Sequence, residues 1–219
     1  MLSAHFFLEA ISKRLVSYGR GFAMELNEMK ETFIRSAVRV VYRDGLVKAT
    51  TKSIAAEAKL NEAYIYKCFQ SKDALLSEAF IIEDANLAEL ITEKLSIMLH
   101  TELTWRERAF TLWHLCWEFI LEFPDDFFFY IRYYYSVYCV GEIYDKHVEC
   151  YRPIIERIRP SFEEDANVDM LVHQILGTML TFGIKVLNGE YSHDEKTSRE
   201  VFDIVYNFIV PYIKPERLI

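Results

Sequence analysis

The chain has 219 residues, a formal net charge of −8 and a hydrophobic fraction of 52%. At about 150 residues per domain, this length predicts one or two domains, and the composition excludes a chain that is disordered throughout. The 7 glycines and 5 prolines are too few for a β-sandwich or barrel with closely spaced turns. Because helical periodicity extends along most of the chain, we expect an all-α fold.

The charge is divided unevenly along the chain. Residues 1–76 carry 12 Lys or Arg and 8 Asp or Glu, whereas residues 77–219 carry 13 and 25. The overall charge of −8 would argue against nucleic acid as a partner. Its distribution instead indicates a basic module for a polyanion, followed by an acidic module with another role.

The helices predicted before residue 100 are mostly short and have clear end signals. Gly45 suits the end of the first, and Thr50 and Ser71 are candidate N-caps for the second and fourth. The predicted spans are about 28–43, 51–58, 62–69 and 72–99. Residues 1–27 lie outside this scheme and are predicted to be an N-terminal extension.

Longer and more apolar helices are predicted in the second part of the chain. Pro124 ends the first of them, and Pro153 is expected to break or kink the third. The predicted spans are 105–123, 125–139, 142–159 and 166–188, with a last helix marked by apolar residues from Val201 to Tyr212. No run of 18 apolar residues is present, so we expect no contact with a membrane.

The most specific pattern lies between residues 45 and 76. A short helix, a turn of three or four residues and a second short helix form a helix-turn-helix candidate, whose second helix would enter the major groove of DNA. Ile54 and Ala55 give the first helix a small apolar face, and Ile65 and Phe69 would bury one face of the second. The opposite face of the second helix is then left for DNA.

The polar side chains around this motif are predicted to make two kinds of DNA contact. Contacts to phosphates supply affinity and register, whereas contacts to base edges supply sequence choice. Glu62 can accept a hydrogen bond from cytosine or can repel phosphate, and both interpretations remain open. The base-reading candidates are Tyr64, Lys67 and then Glu62, and the backbone-contacting candidates are Thr50, Lys52, Tyr66 and Lys72. The alternative for each is an ordinary surface residue.

The stretch IAAEAKLNEAYIYKCFQSKDALL, residues 54–76, resembles the signature of the TetR family of bacterial transcriptional regulators. Lys59 departs from the family pattern, which usually has glycine in the turn, and Glu62-Ala63 departs at the start of the recognition helix. The resemblance implies an N-terminal three-helix DNA-binding domain, residues 28–76, and a C-terminal helical ligand-binding and dimerisation domain, residues 77–219.

A belt of aromatic residues follows Pro124, and three tryptophans precede it. In a TetR-like protein this region would line an inducer cavity, and such walls suit a small apolar or aromatic ligand. A plain aromatic core is the alternative. The predicted ligand contacts are Trp113, His114, Trp117, Phe128, Arg132, Tyr134 and Tyr135.

Other site types find less support in the sequence. His147, Glu149 and Cys150 have metal-ligating side chains, but a solvated helix face explains them better because no second pair is evident. The four cysteines form no C-x-x-C pair and are expected to be reduced thiols. Since no phosphate loop, G-x-S-x-G or H-E-x-x-H motif is present, we predict no cofactor, no metal and no enzyme.

The helix near 166–188 is apolar on more than one face, which predicts that it forms a homodimer interface together with the helix near 198–213. Together these features predict a cytoplasmic repressor that binds double-stranded operator DNA and is released by a small molecule. Two alternatives remain open. One is a structural or partner-controlled DNA-binding protein of the same fold without an inducer, and the other is a helical carrier or enzyme with a vestigial helix-turn-helix.

Overall fold

The computed structural model describes residues 26–100 and 102–218. The predicted extension, residues 1–27, lies outside the described residues except for its last two, which begin the first helix. The predicted all-α fold is confirmed. The α-helices of the described chain are α1 (Leu26–Asp44), α2 (Thr51–Ala58), α3 (Ala63–Phe69), α4 (Lys72–Lys94), α5 (Trp105–Glu122), α6 (Pro124–Tyr134), α7 (Glu142–Ile158), α8 (Val168–Leu187) and α9 (Glu195–Ile209).

Helices α1 to α3 and the start of α4 form an N-terminal unit, residues 26–76, here called the head. Its core is built from fully buried side chains that include Phe33, Ile54, Ile65 and Leu75. Each comes from a different helix, so every helix of the head contributes to one apolar centre. Burial of a large apolar side chain contributes roughly 1.5–3 kcal/mol, which holds these short helices together despite their weak intrinsic stability.

The remaining helices form the body, residues 77–218, which the long helix α4 joins to the head. Within the body, helix α4 packs mainly against α7 and α6, while α5, α8 and α9 pack together beside them. Trp117 and Phe129 are completely buried, and Phe80 of α4 stacks on Tyr133 of α6 with 4.8 Å between ring centroids. Much of the predicted aromatic belt is therefore core.

In the body, local hydrogen bonds explain two helix boundaries that differ from those predicted, and a third helix lacks a predicted break. Helix α6 ends at Tyr134, five residues early, because the Ser136 hydroxyl donates to the Tyr133 carbonyl at 2.6 Å and accepts from Tyr138 N at 3.2 Å, which favours a turn. Helix α9 begins at Glu195 because Asp194 accepts from Thr197 N at 2.8 Å as its N-cap. Helix α7 continues through Pro153, so the predicted break is absent, and it packs against α4.

Helix α8 is the most apolar element of the described chain. By length and composition alone it would be long enough to cross a membrane, and a third of its most apolar stretch is buried in the structure. Core helices of soluble proteins pass the same test, and α8 packs against α5, α6, α7 and α9. Its uncovered part leaves an apolar surface on the body.

Candidate DNA-binding surface and ligand cavity

The first helix of the motif, α2, is fixed by hydrogen bonds at both ends. Thr50 Oγ1 accepts from Ser53 N at 3.1 Å and Ser53 Oγ accepts from Thr50 N at 3.0 Å, which makes a reciprocal capping box. At the other end, Lys59 adopts a left-handed backbone with φ 54° and Leu60 N donates to the Ala55 carbonyl at 3.1 Å. The predicted turn is present, with lysine in a conformation that favours glycine.

The second helix of the motif, α3, buries one face and exposes the other. Ile65 and Phe69 are buried, and Phe69 meets Phe33 of α1 edge-on at 6.4 Å, as expected for the inner face. Tyr64 and Tyr66 are 40% and 53% exposed, and Lys67 is exposed beside them. The structure therefore places these three predicted DNA contacts on the outer surface of the head.

Glu62 is held away from this exposed set. The Thr51 hydroxyl donates to Glu62 Oε1 at 2.5 Å, so the carboxylate folds back to the first residue of α2 and is half-buried. A carboxylate near a helix N-terminus is favourable because backbone N–H groups there carry partial positive charge. The acidic residue thus stabilises the junction of the two helices.

The predicted phosphate contacts divide into exposed and engaged side chains. Lys52 is exposed on α2, whereas the Thr50 hydroxyl belongs to the capping box and also donates to Ser53 Oγ at 3.1 Å. Lys72 Nζ donates to the Ala49 carbonyl at 3.2 Å, which ties the start of α4 to the loop before α2. An ammonium group has two further N–H donors, so this bond leaves Lys72 able to meet a phosphate.

Two predicted ligand contacts lie instead at the boundary between head and body. The Arg132 guanidinium of α6 donates to the carbonyls of Val41 and Tyr42, the latter at 2.7 Å, near the end of α1. The Phe128 ring packs on Tyr42 at 5.6 Å and lies under the Arg132 guanidinium at 5.5 Å. A cation that caps the C-terminal carbonyls of a helix is favoured by the helix dipole, so this contact anchors α1 to α6.

A second charged contact crosses the same boundary. Arg35 of α1 lies 3.3 Å from a carboxylate oxygen of Glu83 on α4 and 3.0 Å from one of Asp126 on α6. Burial, followed by repulsion from Asp126, raises the pKa of Glu83 to about 7. Burial also raises the pKa of Asp126. The ionisation of this pair is therefore linked to packing of the head on the body.

Of the three predicted contacts on α5, Trp113 and Trp117 are core residues and His114 is partly exposed. Trp113 Nε1 donates to the Ser198 carbonyl at 3.2 Å, and His114 Nδ1 lies 3.1 Å from Ser198 Oγ. Trp117 is fully buried and stacks on Trp113 at 5.9 Å. These side chains hold α5 against α9, in agreement with the aromatic-core alternative for this part of the set.

A cavity lies between α6, α7 and α8. Its enclosed volume is about 20 Å³, and it opens to solvent on one side. Two predicted contacts, Tyr134 and Tyr135, line it. Other lining residues, which the sequence did not single out for a ligand, include Tyr130, His147, His173 and Gly177.

Asp84 of α4 lies directly behind the cavity wall. It is 3% exposed, it accepts a hydrogen bond from the Tyr130 hydroxyl at 3.2 Å, and both its oxygens lie 3.0 Å from His147 Nδ1. The prediction of a solvated face is therefore wrong for His147, whose side chain is 11% exposed. Burial raises the pKa of Tyr130 well above its usual value and that of Tyr134 to about 12, so both phenols are neutral. Among the described residues, no group of three or more His, Cys, Asp or Glu could hold a metal ion.

The comparison with known proteins identifies the head. A family model described as bacterial regulatory proteins, tetR family, matches residues 33–79. The head is therefore similar to the matching part of TetR-family regulators. The matched segment spans the four helices that build the core of the head.

A curated relative is similar to this chain over part of its length. A segment of 52 residues is 38% identical to the HTH-type nicotine-responsive transcriptional repressor HdnoR of Paenarthrobacter nicotinovorans, and it covers 24% of this chain. The chain matches about a quarter of the length of that curated relative, 27%.

Two solved structures extend the likeness to the body. A TetR family transcription regulator from Marinobacter aquaeolei VT8 has a TM-score of 0.69 at 17% identity and covers 83% of this chain and 95% of its own. A putative TetR family regulator from Shewanella sp. PV-4 has a TM-score of 0.69 at 18% identity, with 82% and 97% covered. At such identities the likeness establishes the fold of the body and leaves its ligand undetermined.

Helix α6 connects the two parts of the molecule. Tyr130 and Tyr134 on this helix line the cavity, and Arg132 between them binds the end of α1. The signal for the buried acid was present in the spacing of α4, where Asp84 stands in the apolar series of Leu76, Phe80 and Leu87. A charged residue within a buried stripe marks either a paired structural group or a functional one.

Proposed function

We propose that this TetR-family regulator acts in the cytoplasm as a homodimeric repressor that binds operator DNA through α3 and is released by a small, largely apolar molecule. The observation that carries the proposal is the exposed set Tyr64, Tyr66 and Lys67 on a helix whose opposite face closes the core of the head. A lysine and two phenols at this position can hydrogen-bond to base edges and phosphates in a major groove.

Release by a ligand is supported by the position of α6. A molecule in the cavity would contact Tyr134 and Tyr135 at the C-terminal end of this helix, one turn from Arg132. A shift of α6 would move the anchored end of α1 and with it the head. Since a ligand can change DNA affinity only by its differential affinity for two arrangements, the ligand must favour the arrangement in which the heads do not fit adjacent half-sites.

Dimerisation through α8 and α9 is supported by large apolar side chains that the single chain leaves uncovered. Met170 on α8 is 71% exposed, and Ile204, Phe208 and Tyr212 on or just after α9 are also exposed. Two copies that pair these faces would form a four-helix contact with twofold symmetry. The two heads would then reach half-sites about one helical turn of DNA apart, or a multiple of that spacing.

The proposal is tested with DNA duplexes selected from a random pool by the full chain, whose affinity is then measured by fluorescence anisotropy. We expect Lys67→Ala and Tyr64→Ala each to weaken binding to the selected duplex about tenfold to a hundredfold, and we expect two chains per duplex. Lys196→Ala, which removes an exposed lysine from α9, is the matched control and should bind like the wild type.

Two results would contradict the proposal. If the random pool yielded no enriched sequence, or if both α3 variants bound the selected duplex with wild-type affinity, α3 would be excluded as the helix that reads the DNA sequence. Specific binding by a single chain would exclude the dimer. The alternative function is a DNA-binding protein without an inducer. In that case the α3 variants would still lose affinity for DNA, but the protein would stay on its duplex when the cavity is occupied.

A further inference from the structure

The cavity between α6, α7 and α8 has a wall made of aromatic rings. Tyr134 stacks in parallel on Tyr130 at 5.9 Å and meets Tyr135 edge-on at 4.9 Å. The His147 ring lies 5.0 Å from the Tyr134 ring, and His173 lies 6.4 Å from it. The face of such a ring is electronegative and attracts a cation placed over it, most strongly where water is excluded.

The charge behind this wall is negative. Asp84 is buried, and among the described residues neither a lysine nor an arginine forms an ion pair with it. A carboxylate in a buried position costs free energy unless it is paired, so a cation placed near Asp84 would be stabilised. His147 is the basic group that contacts Asp84 directly, and it shares the cavity wall.

The lining residues also disfavour the other classes of ligand. They include neither lysine nor arginine, so a carboxylate or phosphate ligand would lack the charge-assisted partners that such anions require. A neutral hydrocarbon would fit beside Leu176 and Leu180 but would leave the potential of Asp84 uncompensated. Gly177 adds space, because a Cβ built on it meets no atom within 4 Å.

We infer that this cavity binds a small organic cation, an amine or quaternary ammonium group, against Tyr134 and Tyr135 with Asp84 as the counter-charge. The inference rests on the proposed ligand response and specifies the class of molecule that produces it. Tyr134 and Tyr135 would contact the cation directly. Asp84 would act through Tyr130 and His147, with which it is in contact, and is therefore a positioning and electrostatic residue.

A pair of probes that differ in charge and hardly at all in shape tests the inference. Choline carries a trimethylammonium group, and 3,3-dimethyl-1-butanol has a carbon atom in place of the nitrogen. Titration calorimetry of the full chain without DNA should show choline binding roughly tenfold to thirtyfold more tightly than the neutral analogue. Equal affinities, tighter binding of the analogue or no saturable binding of choline would overturn the inference.

Variants of the wall separate ring faces from general packing. Tyr134→Leu should abolish the preference for choline, whereas Tyr134→Phe, which keeps the ring, should retain most of it. Gly177→Leu should block both probes, since its side chain would begin in open space and occupy the cavity. A preference unchanged in Tyr134→Leu would place the cation elsewhere and contradict the assignment.

Variants of Asp84 test its role as the counter-charge. Asp84→Asn should bring the affinities of choline and its neutral analogue close together, while Asp169→Asn, the same change at an exposed carboxylate of α8, should leave the preference intact. A preference that persists in folded Asp84→Asn would contradict the role given to Asp84. Circular dichroism shows whether each variant folds. If Asp84→Asn does not fold, the comparison of Tyr134→Leu with Tyr134→Phe tests the cation site.

A parallel measurement with the selected DNA duplex keeps this inference separate from the proposed function. Choline that binds the free protein and leaves the DNA complex intact would support the cation site and contradict release by a ligand. A neutral analogue that releases DNA as effectively as choline would support release by a ligand and contradict the cation site.

Discussion

The head and the body of this protein both have apolar cores, but the head is marked by local hydrogen bonds at its turns and the body by packing between large rings. In the head, hydrogen bonds between side chain and backbone join residues two or three positions apart, as in the Thr50–Ser53 capping box and the bond from Ala63 N to Asn61 Oδ1. In the body, large rings from distant parts of the chain pack together, as Phe80 does with Tyr133.

The difference indicates where each part can change shape. Local hydrogen bonds at fixed spacing make the head a unit that moves as a whole, because each turn depends on specific acceptors. Ring packing in the body depends on volume and shape and leaves a cavity where the packing is incomplete. A signal from the cavity to the DNA surface must therefore cross the boundary, where Arg132 and Arg35 make the polar contacts described above.

The largest predicted effect comes from breaking the anchor between the two parts. Arg132→Ala removes the N–H donors that bind the carbonyls of Val41 and Tyr42 and leaves these two acceptors at the end of α1 without that partner. We expect the free energy of unfolding to fall by about 2–3 kcal/mol, as for the loss of charged hydrogen bonds in a partly buried site. Urea unfolding followed by circular dichroism measures the change.

Arg132→Lys is the matched control for this anchor. Lysine keeps the positive charge near the helix end but lacks the planar fork that serves two carbonyls together, so its stability should lie between those of the wild type and Arg132→Ala. Equal stability of all three proteins would show that the head is held to the body by apolar packing alone.

A smaller effect is expected at the second boundary contact, and it depends on pH. The pKa of Glu83 in the folded protein, about 7, lies above its ordinary value of 4.5. The folded state therefore retains a proton that the unfolded state releases, and the stability contributed by protonated Glu83 is lost as the pH rises from about 4.5 to 7. Glu83→Gln has no such loss and should exceed the wild type at pH 8 by on the order of 2 kcal/mol.

Thermal unfolding of both proteins between pH 5 and pH 8 checks this sign. The difference between Glu83→Gln and the wild type should grow in favour of the variant with increasing pH, since Arg35 keeps Asp126 as a partner in the variant. Glu78→Gln, on the same helix but paired with Lys30 at a more exposed position, is the control and should show a nearly constant difference. A difference that shrinks with pH would contradict the raised pKa.

The sequence was most informative where structure is determined locally. Thr50 as N-cap, the turn at Leu60, and the buried pair Ile65 and Phe69 follow from spacing within a few residues, and the structure confirms each of them. The exposed Tyr64 follows from the same helical period. Such features depend on near neighbours, so a single sequence is sufficient to predict them.

The body was less predictable because its contacts join distant segments. Arg132 was predicted as a ligand contact, and nothing near it in sequence indicates that the end of α1, some 90 residues earlier, lies within its reach. The contact between Asp84 and His147 likewise spans 63 residues. Aromatic residues at helical spacing fit a core and a cavity wall equally well, so Trp117 and Tyr134 could not be told apart without the packing of α5 and α6.

The smallest predicted effect is a gain of stability in the head. Lys59 ends α2 with φ 54° and ψ 35°, a conformation that costs a residue with a Cβ roughly 1 kcal/mol and costs glycine little. We expect Lys59→Gly to stabilise the protein by about 0.5–1 kcal/mol, measured by urea unfolding. The same substitution at Lys52, an exposed lysine inside α2, should destabilise it by up to about 1 kcal/mol, because glycine there loses helical propensity. Both lysines belong to the same short helix and its end, so a gain of stability at Lys59 with a loss at Lys52 would come from the backbone conformation of residue 59. A loss of stability in both variants would exclude that explanation.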